Sequence, residues 1–267
     1  MKKQSLIKQR LTSLSMALAA ATSMGLFSGG AQAIPAGWTC AGTCGTLGAD
    51  GVVTTPPIGT TYEYISTAGA SGSNGASLSL GGGTETNGST LTSNVFHSKV
   101  GDKLAFNFNY VTSDGAGFAD YAWARLQDVT TNSLVGYLVT ARTQSSGSII
   151  PGFNMPAIIA GLTPASVPII GGAPAWSPLG GSSGTCFNSG CGYTGWVASD
   201  YTIGVEDDYK LEFGVINWND GSFQSGLAIN GATIGGVDIG KVPEPGTFAL
   251  LGLALAGLGF AGRRKQH

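Results

Sequence analysis

Two stretches of strict alternation restrict this chain to a β-sheet protein. Between Lys103 and Val111, Leu104, Phe106, Phe108 and Tyr110 alternate with Ala105, Asn107 and Asn109. Between Tyr209 and Asn217 the pattern returns, with Leu211, Phe213 and Val215 on the apolar side. A period of two sends successive side chains to opposite faces, so each stretch suits a strand with one face in a core. Ala119 to Val129 alternates as well, Tyr121, Trp123 and Arg125 facing one way and Ala122, Ala124 and Leu126 the other. Residues 130–133 then turn the chain, and Leu134 to Ala141 runs back as the second arm of a hairpin. Strands and turns at about ten-residue spacing predict an all-β protein, an antiparallel β-sandwich or jelly roll with long Gly/Pro-rich loops.

Around these strands the reading is of loops. Gly37 to Pro57 is turn-rich and is expected to cap one edge, pinned by Trp38, before a first strand at Tyr62–Ile65. Gly69 to Ser93 is dominated by Gly, Ser, Thr and Asn and reads mostly as loop, with a short strand at Leu78 and Leu80, so the core strands are expected to begin at Asp102. Between Ser145 and Ser199, Pro151, Pro156, Pro164, Pro168, Pro174 and Pro178 interrupt any regular element, leaving room for a helical turn at Met155–Gly161. An ordered insertion of this kind often carries binding. Strand signals resume at Trp196–Ala198 and Tyr201–Val205, and Leu227–Ile229 with Thr233–Ile234 complete the sheet.

The two ends of the chain have a different composition. Lys2, Lys3, Lys8 and Arg10 precede an apolar stretch from about Leu11 to Phe27, and Ala31-Gln32-Ala33 offers small residues at the spacing of a signal-peptide cut after Ala33. A retained N-terminal membrane helix is the alternative, disfavoured by Thr12, Ser13, Ser15, Thr22 and Ser23. At the other end Val242-Pro243-Glu244-Pro245 is held extended by its prolines, followed by an uncharged apolar run from Thr247 to Gly262 and by Arg263, Arg264 and Lys265. As a helix that run spans roughly 24 Å, short for a bilayer core of about 30 Å but workable with thinning. The basic end would stay cytoplasmic. A plain tail anchor or a buried C-terminal helix would also account for the apolar run.

These three parts, in this order, resemble the PEP-CTERM sorting signal of exported bacterial proteins. The resemblance covers about a tenth of the chain. It implies a membrane-embedded exosortase as processing partner, after Sec export, with Pro243, Glu244 and Pro245 as recognition residues and Arg263 and Arg264 as the stop. It further implies a substrate of that chemistry, anchored through residues 247–262 in the inner membrane of a Gram-negative bacterium and then moved to the outer surface or extracellular matrix. The passages GWTCAGTCGTLGADGVVTTPP, SDGAGFADYAWARL and FGVINWNDGSFQSGLAING resemble a group of exported proteins bearing the same tail, which implies a surface role but no activity. The expected organisation is a signal peptide (1–33), an exported sandwich (34–241) and a sorting tail (242–267). The expected role is structural or adhesive, in an exopolysaccharide-linked biofilm layer.

The body carries six Lys and Arg against fourteen Asp and Glu, a net charge of −8, which does not attract nucleic acid. Its four cysteines form two tight pairs, Cys40/Cys44 and Cys186/Cys191. In an oxidising compartment an even count reads as disulfides. Three connectivities are possible, the two local pairs being favoured, with a four-cysteine zinc site as the rival.

Catalytic signals are weak. Gly180-Gly181-Ser182-Ser183-Gly184 satisfies G-x-S-x-G but lacks the preceding strand and following helix of a nucleophile elbow. His97 is the single histidine of the body, and Glu63, Glu85, Glu206 and Glu212 sit in no recognisable glycosidase segment, so no enzyme is expected. Glu206, Asp207 and Asp208 form one acidic cluster, and Asn217, Asn219 and Asp220 precede a glycine in faint likeness to a calcium loop. A structural Ca²⁺ is thereby admitted, ordinary turns being the alternative, and no other cofactor is expected. Trp176, Tyr193, Trp196, Trp218 and Phe223 flank Gly-rich loops and are candidates for stacking on sugar rings in a carbohydrate-binding module, unless Trp196 and Trp218 fill the core.

Overall fold

A computed structural model describes residues 34–240. The cleavage residues Ala31 and Ala33, the expected N-terminal signal helix and C-terminal apolar helix, and the tail residues Pro243, Glu244, Pro245, Arg263 and Arg264 lie outside the described residues.

Strands β1 (Thr39–Ala41), β2 (Thr43–Leu47), β3 (Tyr62–Ser66), β4 (Glu85–Thr92), β5 (Phe96–Ser98) and β6 (Lys103–Thr112) come first. Then follow β7 (Tyr121–Asp128), β8 (Ser133–Arg142), β9 (Ser148–Ile150), β10 (Gly161–Thr163), β11 (Val167–Pro168) and β12 (Ile170–Gly171). The chain closes with β13 (Gly192–Tyr193), β14 (Val197–Thr202), β15 (Asp207–Trp218), β16 (Ser225–Ile234) and β17 (Val237–Asp238). One sheet runs β1-β4-β15-β7-β8, with β5 also on β15; the second runs β10-β14-β6-β16-β3-β2, extended by β12, β13 and β17. Every pairing within the two sheets is antiparallel.

The alternation explains the sandwich. Leu211, Phe213 and Val215 of β15 and Ala122, Ala124 and Leu126 of β7 face Leu104, Phe106, Phe108 and Tyr110 of β6 and Leu227 and Ile229 of β16, all in one buried cluster. Phe106 and Phe213 meet edge to face at 5.3 Å across the two layers. Burial of each large apolar side chain contributes about 1.5–3 kcal/mol, which makes this face the main source of stability.

The outer faces are covered too. On the second sheet Tyr62, Val111 and Ala228 lie under Val53, Trp176 and Leu179 from loops. On the first sheet Tyr121, Trp123, Ile216 and Trp218 lie under Ala76, with Leu78 and Leu80 packed alongside.

Four expectations change. The core strands do not begin at Asp102, because Gly37–Pro57 holds β1, on the edge of the first sheet beside β4, and β2, on the edge of the second beside β3, and β4 lies beside β15 inside the first sheet. The inward side of β4 is polar apart from Leu91; Ser89 Oγ donates to the Ser66 carbonyl at 2.6 Å and so replaces apolar contact with a hydrogen bond. Leu78 and Leu80 are not a strand: the N–H of Leu78 donates to Tyr121 Oη at 2.9 Å, and those of Ser79 and Leu80 donate to the Glu85 carboxylate. Met155–Gly161 forms no helical turn, since Pro156 interrupts it and Ile159 N–H donates to the Tyr137 carbonyl on the edge of β8 at 2.8 Å. In place of two strands at Trp196–Ala198 and Tyr201–Val205 there is one, β14, which takes in the end of the first segment and the start of the second. Local helix occurs instead as a 3-10 turn at Ser177–Ser182.

Candidate functional site

The register of β6 with β16 defines two ends of the sandwich. Leu104 stands opposite Ile234 at one end, Thr112 opposite Ser225 at the other. The first end receives both termini of the described domain: Pro35 and Gly240 line one cleft there, of about 350 Å³, with Trp38, Thr60, Glu63, Asn230 and Asp238. Asn230 builds its rim, donating to the carbonyls of Ile58 and Thr61 at 2.9 and 3.0 Å and accepting from Ile58 N–H at 3.0 Å. Burial pushes the Glu63 carboxyl up to about 7; its own backbone hydrogen bond opposes this and Asp238 adds to it. Trp38 is buried, and its indole N–H has no hydrogen-bond partner among the described residues. The cleft thus brings a carboxyl whose pKa burial raises to about 7 together with a second carboxylate. Polar, partly desolvated groups of this kind in a concavity are what small-ligand sites are made of.

At the far end the inward position of nearly every central strand is polar. Asp120, just before β7, accepts from Trp218 N–H at 2.7 Å through Oδ1, and its Oδ2 lies 2.6 Å from Ser225 Oγ. Ser225 Oγ is also 2.8 Å from Thr112 Oγ1, and Tyr110 Oη donates to the Asp120 carbonyl at 3.0 Å. Asn217 Nδ2 donates to Asn87 Oδ1 and Gln224 Oε1, each at 3.2 Å. Burial holds the Asp120 carboxyl well above the usual carboxylate range, with Asp114 adding to the shift. Burial likewise pushes Asp114 up to about 7, against the hydrogen bond from Gly115 N–H.

Over this layer lies the disulfide loop. Phe187 N–H donates to the Ser113 carbonyl at 2.9 Å and Ala116 N–H to the Ser189 carbonyl at 2.8 Å. Phe187 is 44% exposed and packs on Phe118 and Phe223, each with ring centroids 5.1 Å away. Three loops distant in sequence therefore meet in one aromatic tip. Phe118 and Phe187 carried no signal of this, because their loops meet only through the sheet order.

Both local disulfides, Cys40–Cys44 and Cys186–Cys191, are present. The aromatic candidates separate. Trp176 and Trp218 are buried and present no open ring to a sugar: Trp176 is clamped under its loop, and Trp218 lies beneath the Arg142 guanidinium at 4.6 Å. Tyr193 and Trp196 are half-buried, Trp196 donating to the Thr54 carbonyl at 3.2 Å and meeting Tyr62 edge to face.

The two acidic groups lie at opposite ends of β15, about 33 Å apart over ten residues, and cannot share an ion. Glu206 and Asp208 instead flank His97 at 3.4 and 2.9 Å, and the Asp208 hydrogen bond, then that of Glu206, raises the imidazole pKa. Asp207 accepts from Thr130 Oγ1 at 2.5 Å. The calcium-loop reading of Asn217, Asn219 and Asp220 does not hold as one loop: Asn217 points into the sandwich, Asn219 Oδ1 accepts from Thr84 N–H at 3.0 Å, and Asp220 Oδ1 from Ser222 N–H at 2.8 Å. Among the described residues no three His, Cys, Asp or Glu side chains gather as a metal centre. Ser182 ends the 3-10 turn rather than topping a strand, so it has no nucleophile-elbow geometry.

Comparison with solved structures finds distant likenesses. One is to the enzymatically active domain of bacteriophage CBA120 tailspike protein 4, at 12% identity and TM-score 0.32, covering 74% of this chain and 19% of that one. The chain thus spans about a fifth of that protein's length. Others are to the K1 and K3 cleaved adhesin domains of Lys-gingipain from Porphyromonas gingivalis W83. K1 aligns at 12% identity and TM-score 0.34, covering 74% of this chain and 89% of that domain. K3 aligns at 11% and 0.30, covering 74% and 93%. No curated protein sequence matches the chain. Residues 241–265 match the PEP-CTERM protein-sorting motif. That motif, directly after the last described residue of the sandwich, marks the chain as an exported protein processed at the membrane through its tail.

Proposed function

We propose that the sandwich is a structural or adhesive module of an exopolysaccharide-linked layer, carried by exosortase processing to the outer surface or matrix of a Gram-negative bacterium. The observation behind this reading is the meeting of Pro35 and Gly240 at one end of the domain. A tail leaving from that end directs the Phe118–Phe187–Phe223 tip away from the attachment point. The reading includes no turnover by the domain itself. Intact mass of the protein from native envelope and medium fractions tests the delivery step. A mass beginning at Ile34 and ending near Pro243–Pro245 is expected; retention of Arg263 and Arg264 in the final product would remove the main support. Deletion of the protein should then weaken the matrix.

A second reading, a carbohydrate-binding module, is favoured by the terminal cleft of about 350 Å³, which Thr60, Glu63 and Asn230 line with polar side chains. Sugar hydroxyl groups suit such a lining. Saturable retention on a polysaccharide panel, lost in Glu63→Gln, is the expected result. No retention on any polymer tested would leave the structural role alone.

A further inference from the structure

We infer that the far end of the sandwich holds one hard divalent cation of the calcium type, taken by Asp114, Asp120 and Asn217. Two oxygens carry the argument. Asp114 Oδ2 and Asn217 Oδ1 are buried and have no hydrogen-bond partner among the described residues, although Asp114 is 1% and Asn217 0% exposed. Buried polar atoms are ordinarily paired and costly to leave unsatisfied, so two such oxygens in one end layer call for a partner.

The register aims Asn217 at Asp120. Ile216 of β15 pairs with Tyr121 of β7, so the next position places Asn217 across from Asp120, both on the core-facing side with Val215 and Ala122. The Asn217 amide nitrogen is committed to Asn87 on β4 and to Gln224. The amide oxygen is therefore left buried without a donor, in the register position across from the Asp120 carboxyl. Acceptors gathered in one buried layer call for a proton or a cation among them.

Asp114 joins the same group. Its N–H donates to Thr112 Oγ1 at 3.1 Å, and that hydroxyl adjoins Ser225 Oγ, which adjoins Asp120. With half-buried Asp220 at the rim, three carboxyl groups come to this end, and none of them is in an ion pair with Lys or Arg among the described residues. Carboxylate, amide and hydroxyl oxygens without sulfur or imidazole are the donor set of a hard cation. Calcium takes six to eight such oxygens in irregular geometry, whereas magnesium requires a near-octahedral shell. The site is separate from the Glu206–Asp208 group and independent of the glycan reading.

The test uses the exported protein stripped with EDTA and titrated with Ca²⁺ at pH 7.5 by calorimetry, and with Tb³⁺ by luminescence excited through Trp218. One site per chain is expected, and Ca²⁺ at about one hundred times Kd should raise Tm by about 5–10 °C. Asp120→Asn and Asp114→Asn should each weaken binding at least tenfold, whereas Glu206→Gln should leave it unchanged. Should the buried variants not fold, Asp220→Asn at the rim is expected to weaken binding several-fold, and the parent titration decides on its own. No heat, no luminescence and an unchanged Tm would overturn the inference. So would full binding by Asp120→Asn, or an Asp120→Asn protein as stable as its parent in EDTA and in calcium alike, the result a shared proton gives.

Discussion

The indole N–H of Trp176 donates to the Tyr62 hydroxyl at 2.8 Å beneath the loop that covers the second sheet. Trp176 is 1% exposed and fills the space above Gly226, where an added Cβ would stand 2.5 Å from the indole. Trp176→Ala is expected to cost about 3–5 kcal/mol in urea denaturation by opening a cavity. Trp176→Phe keeps most of the volume but strands the Tyr62 hydroxyl, at about 1–2 kcal/mol. Gly226→Ala should resemble the first variant.

Arg125 and Glu212 stand directly opposite each other on β7 and β15 and bond at 2.6 Å, with the guanidinium 4.6 Å over the Trp123 ring. Burial alone would raise the Glu212 carboxyl, but Arg125 and Lys210 outweigh it and hold its pKa below the usual range. Glu212→Ala leaves a cation on a half-buried surface and should destabilise by about 1–3 kcal/mol. Arg125→Ala also removes the ring contact. A double-mutant cycle by denaturant unfolding should return a coupling near 1 kcal/mol.

Glu63 makes stability depend on pH. Its folded pKa is about 7 against an ordinary 4.5, so the folded state binds more protons than the unfolded state between those values. The contribution is complete below about pH 4.5 and is lost as pH rises towards 7 and above. Glu63→Gln should flatten this slope, with the difference from the parent largest near pH 8. Tm measured from pH 4 to 8 for both proteins checks it.

Reducing both disulfides should add about 4 Da to the intact mass. Cys186→Ser with Cys191→Ser removes a short closed loop, worth about 2 kcal/mol of chain entropy. That loop also seats Phe187 against Phe118 and Phe223, so deuterium exchange should quicken around residues 113–118 as well as 186–191.

The main strands were legible because their inward positions are uniformly apolar. Leu104, Phe106, Phe108 and Tyr110 leave no other reading, nor do Leu211, Phe213 and Val215. β4 carries no such alternation, because Asn87 and Ser89 fill its inward places with hydrogen bonds instead of apolar area. The local disulfides could be read from spacing, but Trp176 and Trp218 could not be told from open platforms, since burial under a remote loop leaves no local trace. The far-end layer was hidden for a related reason. Asp114 and Asp120 sit in SDGAGFAD, which reads as a surface turn, and only the sheet order brings Ser225 and Asn217 to them.

The closeness of Pro35 and Gly240 makes the order in which the chain threads the sandwich separable from its shape. A Cβ on Gly240 would stand 3.0 Å from that of Pro35, so a short flexible linker could join the two. The chain could then be opened at an exposed turn such as Thr130–Asn132, between β7 and β8, to give a circular permutant with the same core. Such a molecule would keep every strand pairing while moving its point of attachment elsewhere on the surface.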